Sequence, residues 1–259
     1  MLTLLYIFLA NAISTLLSIS LAAVMSFRLL SGVVEKMVSI AAGVLLATAL
    51  VQLLPEAIES GLRPDALGWI MTAGIVAFFI LEKLTLIHHT HHHEGDEHHH
   101  PHGHDAREAG RGAWPILVGD AFHNFGDGVV IAAAFLVDFR AGVVTTSAVF
   151  AHEVPHEIGD FMILLNAGFD RRRAFAFMLI SGLSAVLGGV TGYFLLDAFR
   201  ALVPYALLVA AASFVYIALS DLLPEMMRRK PLSHSVPEVA LVLLGVAMAG
   251  AIRALVKGG

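Results

Sequence analysis

The chain has 259 residues, of which 58% are hydrophobic and 14% are charged. Soluble domains usually carry about a quarter charged residues, so this composition, with a mean hydropathy of +0.79, excludes a water-soluble single-core enzyme. The chain contains no cysteine, which excludes disulfides, iron–sulfur clusters and thiolate zinc sites. A net charge of −5 and 14 histidines do not suit a nucleic-acid binder. They indicate a membrane protein that binds metal through nitrogen and oxygen.

Eight segments are apolar over about the 20 residues that a helix needs to cross a bilayer. In chain order they are Leu2–Leu30, Val33–Ile58, Ala66–Ile87, Ala113–Val137, Val143–Ala167, Arg173–Phe199, Val203–Met227 and Val236–Val256. The first segment lacks the positive start of a cleaved signal peptide and is longer than a signal core. We therefore predict an all-α polytopic membrane protein with eight transmembrane helices, in which residues 1–259 form a single domain.

Lysine and arginine are distributed unevenly among the predicted loops. One set of alternate loops holds eleven of the 16 basic residues, and the other set, together with the termini, holds five. Cytoplasmic loops carry the excess of positive charge. We therefore expect both termini outside, in a plasma (inner) membrane.

The loop between the third and fourth predicted spans, residues 88–111, is rich in histidine. Ten of the 14 histidines lie in His88–His104, a composition typical of metal-binding tracts. Because the tract has almost no apolar residues, we expect a disordered cytoplasmic loop that binds metal loosely or senses its concentration.

A four-residue motif occurs twice, at Leu53–Glu56 and at Leu222–Glu225. It ends the second and the seventh spans, which run in opposite directions if eight helices cross the membrane. Inverted repeats are common in secondary transporters, so the motif favours an inverted repeat around a central metal site on two helices.

Polar residues concentrate in the fourth and fifth spans, where each ionisable group costs at least about 2.5–3.5 kcal/mol at the bilayer centre. The nine residues are Asp120, His123, Asn124, Asp127, His152, Glu153, His156, Glu157 and Asp160. Such a concentration indicates a functional pathway.

Residues four apart lie on one helix face, which pairs His123 with Asp127 and His152 with His156. The two spans are joined by a short loop, so they are expected to be antiparallel neighbours with both pairs at similar depth. Three imidazoles and one carboxylate form a tetrahedral set that suits Zn²⁺. We predict that these four side chains bind one metal ion.

Further oxygen ligands lie one step around the same helices. Asn124 and Glu153 are expected to form an adjacent metal position that shares His156, and Glu157 pairs with Glu153 by the same spacing. Asp120 and Asp160, at the ends of the rows, are either ligands or supporting groups.

The motifs HNFxDG, at His123–Gly128, and HExPHExGD, at His152–Asp160, resemble those of one branch of the ZIP (Zrt/Irt-like) family of zinc and iron transporters. The resemblance covers essentially the whole chain. It implies eight spans with external termini, a transport site on the fourth and fifth helices, a second position at Asn124 and Glu153, and movement of Zn²⁺ towards the cytosol. Members of this branch often have histidine before the first LLPE motif, where this chain has Gln52.

Several alternatives stay open at this point. Fe²⁺, Mn²⁺ and Cd²⁺ compete with Zn²⁺ as the transported substrate, because nitrogen–oxygen sites select weakly. The expected partners are the divalent ion and the lipid bilayer, with a homodimer compatible with the sequence and no catalytic cofactor. His152–His156 formally matches HExxH, so an intramembrane zinc metalloprotease is the rival function, although Pro155 disturbs the helix that must present both histidines. A metal sensor that does not transport is a second rival.

Overall fold

The computed structural model describes residues 1–26, 31–90, 106–222 and 232–258, and every regular element in these ranges is helical. The α-helices are α1 (Leu2–Met25), α2 (Ser31–Ala47), α3 (Leu54–Glu59), α4 (Pro64–Thr90), α5 (Ala106–Val137), α6 (Phe139–Asn166), α7 (Arg171–Ala198), α8 (Val203–Ile217) and α9 (Leu232–Gly258). Two π-helical segments, Thr48–Leu53 and Ala218–Leu222, follow α2 and α8, and a 3₁₀ turn, Arg200–Leu202, precedes α8.

Within the described ranges, six helical stretches are long and apolar enough to cross a membrane. They are Leu2–Met25, Lys36–Glu59, Leu117–Val137, Arg171–Ala198, Arg200–Ser220 and Ser235–Ala254. Pro64–Ile80 is a shorter apolar helix, and α6 carries several acidic residues along its length. The prediction of an all-helical polytopic membrane protein is confirmed, and the count of eight spans stays a prediction.

The helix ends differ from the predicted spans by a few residues. α1 ends at Met25 rather than Leu30, while α4 continues to Thr90 and α5 begins at Ala106. Residues 88–90 and 106–111, predicted as loop, are therefore helical, because a helix bonds its own backbone and does not have to stop where the apolar stretch stops. The rest of the histidine-rich loop, residues 91–105, lies outside the described residues, as do the last three residues of the second LLPE motif.

The helices pack in two groups, and the first group contains α5 and α6. α5 packs most extensively against α7 and also against α6, while α1 packs against both α6 and α7. In the other group, α2 packs against α9 and α4 packs against α8. The largest buried apolar cluster joins the groups through Leu45, Ile131, Leu208 and Phe214. This packing shields much of the polar surface of α5 and α6 from the surroundings.

Glycines bring α5 and α7 into backbone contact. A Cβ atom added at Gly128 would lie 2.0 Å from the carbonyl oxygen of Ala185, and one added at Gly188 would lie 2.0 Å from that of Phe125. Such close approach is typical of small residues at membrane helix interfaces. Gly126 differs, because an added Cβ would have nothing within 4 Å.

The first LLPE motif lies where α2 widens into a π-helical segment. The N–H of Leu54 donates to the carbonyl of Ala49, five residues earlier. Pro55 has no N–H, and in an α-helix its ring clashes with the carbonyl of Val51, so a wider turn relieves the clash. The Arg253 guanidinium of α9 donates to that Val51 carbonyl and thereby supplies a hydrogen bond that Pro55 cannot make.

Candidate metal centre

The two polar helices form a tight antiparallel hairpin. Only Asp138 separates α5 from α6, and its side chain caps α6 by accepting the N–H of Ala141 at 2.7 Å. His123 lies 14 residues before Val137, and His152 lies 13 residues after Phe139. At a rise of 1.5 Å per residue, both histidines are about 20 Å from the turn. The hairpin therefore places them side by side.

Four side chains from α5 and α6 meet at this depth, and we call them the deep cluster: His123, Asp127, His152 and Glu153. The His152 Nε2 atom lies 3.2 Å from Asp127 Oδ2 and 3.3 Å from Glu153 Oε1. The His123 Nε2 atom lies 3.2 Å from Glu153 Oε1 and 3.3 Å from His152 Nε2. One ligand atom from each of the four residues lies within 4.8 Å of all the others.

The composition and burial of the deep cluster suit a divalent cation. Asp127, His152 and Glu153 are buried, and the His123 side chain is 26% exposed. Within the described residues, neither Asp127 Oδ2 nor Glu153 Oε1 makes a hydrogen bond of good geometry. Buried carboxylates that lack such bonds are costly unless a cation compensates them, and imidazole with carboxylate is a ligand set that Zn²⁺ accepts.

A second group lies next to the first, and we call it the shallow cluster: Asp120, His156 and Asp160. The His156 Nδ1 atom lies 3.9 Å from Asp120 Oδ1 and 3.7 Å from Asp160 Oδ2. The three ligand atoms also lie within 4.8 Å of one another. The rings of His123 and His156 stack with centroids 5.3 Å apart, so the two clusters adjoin.

The structure groups the predicted ligands differently from the sequence prediction. It brings His123, Asp127 and His152 together as predicted, but Glu153 is their fourth neighbour instead of His156. Four residues advance a helix by about 6 Å along its axis, which takes His156 away from His152 and towards Asp160. The flexible Glu153 side chain reaches both imidazoles instead. Which of these residues bind metal stays a prediction.

The remaining two predicted residues occupy other positions. Asn124 donates to Asp120 Oδ1 at 2.8 Å and to the Asp120 carbonyl at 3.1 Å, so its amide orients a member of the shallow cluster. Glu157 is 0% exposed, and neither of its carboxylate oxygens has a hydrogen-bond partner within the described residues. It belongs to neither cluster.

The polar residues of α7 and α1 were not predicted from the sequence. Ser181 and Ser184 of α7 donate to the carbonyls of Leu117 and Ala121, which fixes α7 against α5 beside the clusters. The sequence feature that could have identified Ser181 and Ser184 is their spacing of three residues, which places both on one helix face. A row of buried polar residues on α1 shows the same periodicity and comprises Asn11, Ser14, Thr15 and Ser18.

The metalloprotease alternative finds no support in this geometry. Its chemistry needs both histidines of HExxH on one zinc ion and the glutamate apart from them as a base. Here His156 lies with Asp120 and Asp160, while Glu153 lies among the ligand atoms around His152.

The fold and the two clusters together define a polytopic helical membrane protein with groups that can ligate a metal ion on two adjacent helices. The chain matches the sequence model of the ZIP zinc transporter family over residues 1–111 and 87–253. It therefore belongs to the ZIP family, whose members are transporters rather than enzymes.

Similar proteins include several named zinc transporters. The chain is 40% identical to zinc transporter ZIP10 of Homo sapiens over 144 residues, which are 54% of this chain and 17% of ZIP10. It is 39% identical to zinc transporter ZIP6 of Homo sapiens over 122 residues, which are 47% of this chain and 16% of ZIP6. With zinc transporter ZIP13 of Pongo abelii it shares 30% identity over 231 residues, 82% of this chain and 64% of ZIP13. The chain thus spans less than two thirds of each of these relatives.

Proposed function

We propose that this protein carries a divalent metal ion, with Zn²⁺ as its principal substrate, across the membrane through the deep cluster between α5 and α6. The observation that carries the proposal is the convergence of four buried or half-buried ligand atoms from two helices within 4.8 Å. The names of the relatives, all zinc transporters, support Zn²⁺. Fe²⁺, Mn²⁺ and Cd²⁺ are competing ions for the same ligands.

We propose that transport runs towards the cytosol. The excess of lysine and arginine in alternate loops supports an orientation with both termini outside and residues 88–111 inside. The plasma (inner) membrane is the proposed location, and a homodimer is compatible with it. In this orientation α6 carries its ligands inward from the outer turn at Asp138.

Eight spans in an inverted repeat complete the proposal. The π-helical segment after α2 contacts α8, and the one after α8 contacts α2. Each segment includes or adjoins one copy of LLPE. Such reciprocity supports two related halves that move against one another around a central site.

A metal-competition experiment tests the function. The purified protein is reconstituted in vesicles, and uptake of radioactive Zn²⁺ is measured with and without excess Fe²⁺, Mn²⁺ or Cd²⁺. The proposal expects saturable Zn²⁺ uptake above that of protein-free vesicles. Cleavage of a membrane substrate without any Zn²⁺ uptake would contradict it.

A further inference from the structure

The shallow cluster differs from the deep cluster in ligands, exposure and position along the hairpin. It contains one imidazole and two carboxylates. The His156 side chain is 42% exposed, whereas that of His152 in the deep cluster is 2% exposed. The two clusters share no ligand.

The shallow cluster contains carboxylate oxygens for which the described residues provide no hydrogen bond. The Asp120 side chain is 2% exposed, and the Asn124 amide holds its Oδ1 atom at 2.8 Å. Its Oδ2 atom has no hydrogen-bond partner among the described residues, and the same holds for Asp160 Oδ2. A buried carboxylate that is held in place with one oxygen unused is poised to bind a cation.

The position of the shallow cluster along the hairpin gives its direction relative to the deep cluster. Asp120 lies nearer than His123 to the start of α5, and Asp160 lies nearer than His152 to the end of α6. Because the helices are antiparallel, both displacements point to the same end of the bundle. Asp160 is six residues, about 9 Å, from the end of α6. The shallow cluster is therefore the step between the deep cluster and the end of the bundle where α5 begins.

We propose that Asp120, His156 and Asp160 form a second divalent-metal position, which receives the ion from the deep cluster before its release at that end of the bundle. This inference rests on the proposed transport function. Three protein ligands leave a coordination position for water, and the 42% exposed His156 side chain leaves the cluster open on one side. An ion held this way leaves more easily than one enclosed by four ligands, as a transport pathway requires. The stacked rings of His123 and His156 let the ion gain one imidazole before it loses the other.

The absence of cysteine from the sequence allows a direct spectroscopic test. In the full-length Asp160→Cys variant, the new thiol is the only thiol. A thiolate-to-metal charge-transfer band on adding Co²⁺ therefore reports ligation at that position, and Co²⁺ bound to the histidine-rich tract gives no such band. We expect the band in Asp160→Cys and in Asp120→Cys. In the second variant the thiol reaches the same ion from α5. Further substitution of His156→Ala in either variant should weaken the band.

A matched control is Met162→Cys, which places a thiol two residues further along α6 at a side chain that is 39% exposed. It should give no band. Absence of the band in both Asp160→Cys and Asp120→Cys, with helix content equal to that of the unaltered chain, would overturn the second position. So would a band of equal strength in Met162→Cys.

Uptake kinetics separate this inference from the proposed function. In vesicles, Asp160→Asn should lower the maximal rate of Zn²⁺ uptake by about tenfold, with the KM set by the deep cluster unchanged. Unchanged maximal rate in Asp160→Asn would contradict a place for the shallow cluster in transport. Absence of uptake by the unaltered chain would instead contradict the proposed function, while the Co²⁺ band still decides whether a metal position exists.

Discussion

The deep and shallow clusters lie on the same two helices but differ in how tightly they can bind a cation. The deep cluster offers two imidazoles and two carboxylates, with Asp127, His152 and Glu153 buried. The shallow cluster offers one imidazole and two carboxylates, with His156 open to its surroundings. More ligands and deeper burial favour retention, whereas fewer ligands and access to water favour release. Under the proposed function, this difference would let one hairpin both select a metal ion and release it.

The largest effect is expected at His152, whose ring contacts both deep-cluster carboxylates. His152→Ala should abolish saturable Zn²⁺ uptake, because the deep cluster loses one of its two imidazoles, the one that lies 3.2 Å from Asp127 and 3.3 Å from Glu153. Uptake by cells is measured together with the amount of protein in the membrane. Thr146→Ala, on the same helix but outside both clusters, should transport like the unaltered chain. Unchanged kinetics in His152→Ala would remove this residue from the transport site.

Acidification should weaken transport severalfold. Imidazole binds metal only when it is neutral, so protonation of the histidines competes with Zn²⁺. Uptake by the reconstituted protein should therefore fall as the pH on both sides drops from about 7.5 to about 5.5 at constant free Zn²⁺. A flat or rising rate over this range would show that histidine ligation does not limit transport.

A smaller effect on stability is expected where α5 meets α7 beside the clusters. Gly128→Ala would place a methyl group 2.0 Å from the Ala185 carbonyl oxygen, so the helices must separate at a cost of about 1–3 kcal/mol. Thermal unfolding in detergent should show a lower Tm for Gly128→Ala. The matched control is Gly126→Ala, two residues away, where the added methyl has nothing within 4 Å. Equal Tm values for the two variants would show that the close approach does not stabilise the packing of α5 against α7.

The smallest effect on maximal rate is expected for the histidine-rich tract. Its ten histidines in His88–His104 are separate in sequence from both clusters. Deletion of residues 91–104, which leaves α4 intact to Thr90, should change the apparent affinity or its regulation more than the maximal rate. Loss of all uptake in a deletion variant that reaches the membrane would contradict this accessory role.

The sequence predicts the membrane helices and the pairing of α5 with α6 well, because both depend on residue type and helical period. Hydropathy identifies most spans, and the spacing of His123, Asp127 and His152 places them on facing surfaces. The sequence could not predict that Glu153, instead of His156, lies beside the other three side chains of the deep cluster, because spacing defines a helix face but not the reach of each side chain. The role of Asn124 as a partner of Asp120 depends on a side-chain rotamer that the sequence does not specify.

The π-helical segments are a second feature that the sequence indicates only in part. Pro55 predicts a disturbed helix near Val51, yet a kink, a break and a π turn all relieve the same clash. The choice of a π turn at Thr48–Leu53 depends on packing against α8, and the donor to Val51, Arg253, comes from the other end of the chain. Such contacts between distant residues are set by the tertiary fold.

An anomalous-difference map from crystals of the full chain soaked in Zn²⁺ tests the central claim most directly. The account predicts a peak between α5 and α6, about 2.0–2.2 Å from nitrogen atoms of His123 and His152 and from oxygen atoms of Asp127 and Glu153. A map with zinc peaks elsewhere in the protein and none between these four side chains would contradict it.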